Sequence, residues 1–198
     1  MSFEAVIPFL AVLIVLLFLL FSAFLLSVKT KKKLSNQLLA SFLMVTAIDV
    51  SAFFYHQHIQ LPLALEMLRN SISAFKNPLL FLYILLVIYA DFKLKRKHLV
   101  HLLPWIITIL VLTPNFFLVN EEAKKLFFEN YNSFLEIQFL DSLGDALSFA
   151  YLLAEVYYIA RYRKLLLENF TEKKSFYKLY LVKTVSYIAL YWSGINLD

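Results

Sequence analysis

The sequence opens with apolar residues in almost unbroken succession, "FLAVLIVLLFLLFSAFLLSV" over residues 9–28. Similar stretches recur along the rest of the chain, parted by short polar runs. A helix needs about 20 largely apolar residues to cross a bilayer. Six stretches meet that length: about 4–28, 34–56, 70–91, 99–119, 138–160 and 179–197. The pattern therefore predicts an all-α polytopic membrane bundle of six spans. Residues 1–198 form a single transmembrane domain with no soluble module. The third span is the least regular, because Lys76, Asn77 and Pro78 interrupt it.

Composition agrees with the pattern. Hydrophobic residues make up 61% of the chain and charged residues 17%, against about 45–50% and about 25% in soluble domains. The first span has no basic segment before it and is too long for a signal-peptide core. It reads as a retained span. The absence of cysteine excludes a disulfide framework, a thiolate metal site and a cysteine nucleophile.

Charge sets the orientation. Fourteen of the nineteen basic residues fall after spans one, three and five: Lys29 and Lys31–Lys33, then Lys93 and Lys95–Lys97, then Arg161, Arg163, Lys164, Lys173, Lys174 and Lys178. The opposite loops hold three, Arg69, Lys124 and Lys125. Basic loops stay in the cytoplasm, so the N-terminus is expected outside. The run "KLKRK" at 93–97 is then a cytoplasmic turn facing an anionic leaflet. It lacks the aromatic side chains on which single-stranded nucleic acid stacks, so no direct nucleic-acid binding is expected. Residues 120–137 read as an interfacial helix or an outer lid, and 161–178 as a helical extension of span five.

Ionisable groups inside a span cost about 2.5–3.5 kcal/mol each on insertion scales and mark where function is sought. In span five, Asp141, Asp145, Ser148 and Glu155 are spaced to share one narrow face of a helix. Asp145, Asp49 and Lys76 lie at similar depths from the outer side. Asp49, Lys76, Asp141 and Asp145 are therefore expected to form a ligand-binding or intramembrane polar cluster, with Lys76 offsetting part of the carboxylate charge. Glu155 and Lys183 match in depth near the inner side and form a candidate helix-coupling pair. The alternative is that these groups only fix helix register. His56 and His58, two apart, do not share a helix face. His98 and His101 lack a nearby carboxylate to complete a ligand set. No metal and no cofactor are expected. His101 should pack at the cytoplasmic interface, with Trp105 as an interfacial anchor. There is no phosphate loop, nucleophile elbow or HExxH motif, so the chain is not expected to be an enzyme.

Three segments carry a family likeness: "KKKLSNQLLASFLM" at 31–44, "NPLLFLYILL" at 77–86 and "DFKLKRKHLVHLLPW" at 91–105. With them the chain resembles the N-terminal membrane region of AraC-type transcription regulators from Bacteroidetes-like bacteria. In that family the second segment runs Gly-Pro-Leu-Leu-x-x-Tyr. Pro78 and Tyr83 match it, and Asn77 stands in place of the glycine. His101 and Pro104 match the family's His-x-x-Pro element after a basic turn. The resemblance implies a sensor or signal-input module in the bacterial inner membrane. It implies lipid and an unknown small ligand as partners, and a homodimer as an option. Members carry a further span and a cytoplasmic helix-turn-helix domain. The chain as given is therefore expected to be a truncated or orphan module without its own DNA-binding domain. A small transporter or channel, or a structural membrane subunit, is the alternative.

Overall fold

The computed structural model describes residues 3–30, 32–56, 59–89 and 91–169. The described residues are overwhelmingly helical and contain no strand. The helices are α1 (Phe3–Ser27), α2 (Lys33–Tyr55), α3 (Leu63–Ile72), α4 (Lys76–Ile88), α5 (Leu103–Leu112), α6 (Glu121–Glu129) and α7 (Leu135–Asn169). Five segments are long and apolar enough to cross a membrane: Val6–Ser27, Lys33–Tyr55, Leu63–Ile88, Arg96–Phe117 and Leu135–Leu165. The sixth expected span, 179–197, lies outside the described residues, as does Lys183.

Local chemistry explains the segment ends. Pro62 fixes an extended turn before α3, where its missing N–H costs nothing. The third span therefore starts at Leu63 rather than near residue 70. Glu66 and Arg69 lower the apolar content of its first two turns and made it read as loop. A single 3₁₀ turn, Ser73–Phe75, joins α3 to α4. Just beyond it, Pro78 leaves one backbone carbonyl without its helical donor. The fourth segment enters through 3₁₀ turns, Arg96–Leu102, and leaves through a π-helical turn, Thr113–Phe117, that contains Pro114. The fifth is one unbroken helix of 35 residues, which carries the expected extension as far as Asn169; residues 170–178 of that extension lie outside the described residues.

Successive segments run antiparallel. In the α1–α2 hairpin, Asn36 Nδ2 donates to the Leu25 carbonyl at 3.2 Å, and Ser22 Oγ donates to the Ala40 carbonyl at 3.3 Å. Ala11 and Val15 pack against Ala47 and Val50. Small side chains at such a seam let two backbones approach within a membrane. The main core joins Leu38, Phe42 and Leu43 of α2 to Leu80–Leu85 and Ile88 of α4. On its other side α4 lies parallel to α7, where Phe81 meets both Tyr151 and Tyr158. A second core gathers Met67, Leu112, Phe116, Phe127 and Ile137.

With Arg69, Lys124 and Lys125 at the other end, the alternation gathers most of the described basic residues at one end of the bundle. They are Lys29, Lys32, Lys93, Lys95, Arg96 and Lys97, together with Arg161, Arg163 and Lys164. This is the basic end. The other holds α6 and is the lid end. Between them, large apolar side chains such as Phe9, Leu20, Phe24, Leu110, Phe139, Phe149 and Leu153 face outward. Exposed apolar surface this extensive is unlike that of a soluble monomer. It suits a hydrocarbon environment.

Candidate functional site

A cavity of about 570 Å³ opens between the α3–α4 junction, α5 and α7. The residue types explain why it is empty. Ser71, Ser73 and Ala74 form one wall, and Gly144 lies in the wall opposite. A Cβ added at Gly144 would meet nothing within 4 Å. Asn70, Lys76 and Asn77 supply polar groups from the junction, and Thr108 from α5. Asp141, Asp145, Ser148 and Tyr151, at successive spacings of four, three and three, supply the α7 wall. Asn77 Nδ2 donates to Ser148 Oγ at 2.7 Å and ties the two polar walls together.

Lys76 Nζ donates to Asp49 Oδ2 at 2.8 Å, joining α4 to α2. Lys76 lines the cavity with Asp141 and Asp145, whereas Asp49 does not. Among the described residues no ion pair joins Lys76 to either α7 carboxylate. The expected offsetting of two carboxylates is therefore seen as a pair with Asp49.

The sequence reading missed a second network beside the first. Arg69 donates from Nε and Nη2 to Glu66 Oε1, at 2.9 and 2.7 Å, and from Nη2 to Asn70 Oδ1. The Tyr55 hydroxyl donates to Glu66, and Arg69 sits over the Tyr55 ring, 5.8 Å from its centre. His56 Nε2 lies 3.1 Å from Glu66 Oε1. The available signal was an acid and a base three apart just after a proline. That is a helix-start pattern, lost when the segment is read as loop.

Glu155 is only 4% exposed and lies one turn beyond Tyr151 toward the basic end. It has no hydrogen bond or ion pair among the described residues. Its expected partner, Lys183, lies outside them. The rings of His98 and His101 stack with centroids 6.3 Å apart, and His101 Nδ1 lies 2.7 Å from the Tyr151 hydroxyl. Among the described residues no three His, Asp or Glu side chains are placed to hold a metal. Trp105 uses its indole N–H within the bundle. It turns inward, donates from Nε1 to Ser71 Oγ at 3.2 Å and packs on Phe75. The 3₁₀ entry Arg96–Leu102 precedes it, and Trp105 sits beside α3.

The lid end is closed by α6 and its flanks. The Asn120 side chain caps α6 by accepting from the Ala123 amide at 2.9 Å. Phe127 stacks on Phe134 at 4.2 Å between centroids, and Phe116 packs edge-on against Phe128. Tyr131 reaches from this cluster to the cavity wall. Burial pushes its phenol above the ordinary range, and the negative charge of Asp141 adds to that rise. No protein-family model, no curated protein and no solved structure matches this chain.

Proposed function

We propose that the chain is a membrane-embedded sensor, the signal-input module of a bacterial transcription regulator. The observation that carries this reading is the polar cavity set between helices, with Tyr131, from the turn after α6, in its wall. The mechanism is a shift between two helix arrangements. A ligand moves such an equilibrium only through its different affinity for the two states. The α3–α4 junction suits this role. Its 3₁₀ turn separates two helical halves, each tied to α2 by its own polar network. The likeness to the membrane regions of AraC-type regulators supports a transcriptional output, delivered by a domain other than residues 1–198.

On this reading the bundle has six spans with the N-terminus outside, in the inner membrane. The lid end then faces out and the basic end meets the cytoplasm.

Transport is the second reading, and Glu155 favours it. A buried carboxyl group without a described partner, on the same helix face as the cavity, is the kind of group that proton relays use. One experiment separates the two. In proteoliposomes, with Trp192 replaced by Phe, a cavity ligand alters the emission of Trp105, whose indole bonds to the cavity residue Ser71. A sensor gives this signal without net movement of the ligand across the bilayer. Ligand flux abolished by Glu155→Gln overturns the sensor reading.

A further inference from the structure

The charges around the cavity do not cancel. On the α3–α4 side each cation has a carboxylate partner: Arg69 with Glu66, and Lys76 with Asp49 at 2.8 Å. On the α7 side, Asp141 and Asp145 have no ion pair among the described residues. They are one helical turn apart and line the same space. Tyr131 lies on the same wall. The α7 wall of the cavity therefore carries a surplus of negative charge.

Resting on the sensor reading above, we propose that the ligand of this cavity is a small organic cation, an alkylammonium held between Asp141 and Asp145. Volume and chemistry agree on the class. A space of about 570 Å³ is the size of a small-molecule site and far larger than a bare ion. No three acidic or histidine side chains among the described residues converge as a metal would require. Tyr131 and Tyr151 bring aromatic rings to the wall, and cations are attracted to ring faces. Asn77 uses its amide N–H on Ser148, which leaves its carbonyl oxygen to accept from an ammonium. An anion would meet only Lys76, already bonded to Asp49.

The test uses the full chain with Trp192 replaced by Phe, in lipid nanodiscs for binding and in proteoliposomes for flux, titrated with n-butylammonium, n-butanol and n-butyrate. These probes share an alkyl chain and differ in charge. Melting temperature and Trp105 emission are followed. Butylammonium should raise the melting temperature and give a saturable emission change, and the other two should give neither. Asp145→Asn should weaken butylammonium by about tenfold or more, the worth of one charge-assisted contact. Asp141→Asn with Asp145→Asn together should abolish it. Both substitutions preserve shape, and the melting temperature of each empty variant reports that it is folded. Equal butylammonium affinity in wild type and the double variant overturns the proposal, as does the absence of any saturable signal. Preferential response to butyrate also overturns it, while leaving the cavity as a sensor site. Selective butylammonium binding accompanied by flux does the reverse: the cation assignment holds and the sensor reading falls.

Discussion

Lys76 and Asp49 show what a single pair does inside a span. Their side chains are 22% and 36% exposed, and the ammonium lies 2.8 Å from the carboxylate. Removing one partner leaves the other charge half-buried and alone. Such a loss lies between the small value of an exposed pair and the ~3–5 kcal/mol of a fully buried one. Lys76→Met alone should destabilise the bundle by about 1–2 kcal/mol. Adding Asp49→Leu should return most of that loss. Reversible unfolding in mixed micelles measures both, and additive effects of the two changes would refute the pairing. Gly144 gives a second expectation at this scale. A methyl group there meets only space, so Gly144→Ala should stabilise α7, by up to about 1 kcal/mol from helix propensity. Gly144→Leu places a branched side chain toward the same space. It should keep the fold while lowering the affinity for any cavity ligand, as read by the Trp105 titration.

Among the helices, α6 depends most on a few side chains. It has nine residues and rests on Phe127, 1% exposed, against the fully buried Phe116. Phe116→Ala should cost about 3–5 kcal/mol, the usual loss for a large buried aromatic. It should also speed proteolysis within 118–134 before the remaining helices lose their helical signal. Simultaneous loss would show that the lid is not a separate unit.

The helices were also the most legible part of the sequence. Long apolar runs give away α1, α2, α5 and most of α7, because hydrocarbon imposes length and composition on anything that crosses it. The start of α3 was not legible. Glu66 and Arg69 look like loop residues until Glu66 is seen to bond Tyr55 at the end of α2, His56 just beyond it, and Arg69 itself. The residue types of the site were legible from the α7 spacing of Asp141, Asp145 and Ser148. Their partners were not. Asn77 and Ser148 are 71 residues apart, and nothing in the periodicity of either helix says that α4 and α7 are neighbours. The inward turn of Trp105 was not legible for the same reason: it depends on where α3 lies.

For the whole molecule the open question is sidedness, and the chain is well suited to answer it because it contains no cysteine. Single cysteines can be placed at Lys95 in the basic end and at Asn120 beside the lid. With the N-terminus outside, a membrane-impermeant maleimide should label Asn120→Cys on intact cells. Lys95→Cys should react only after permeabilisation. The opposite pattern would invert the bundle and turn the cavity toward the cytoplasm.

The neighbours of α4 also set an order in time. On a nascent chain α2 is already in the membrane when α4 emerges, so Lys76 meets Asp49 on arrival. Asn77 must wait for Ser148, 71 residues further along. At about 5–20 residues per second that delay is roughly 4–14 s. For those seconds a polar amide in the middle of the membrane has no α7 to bond to. The young protein passes through a half-assembled stage in which water, lipid headgroups or the insertion machinery must keep that side of α4 company.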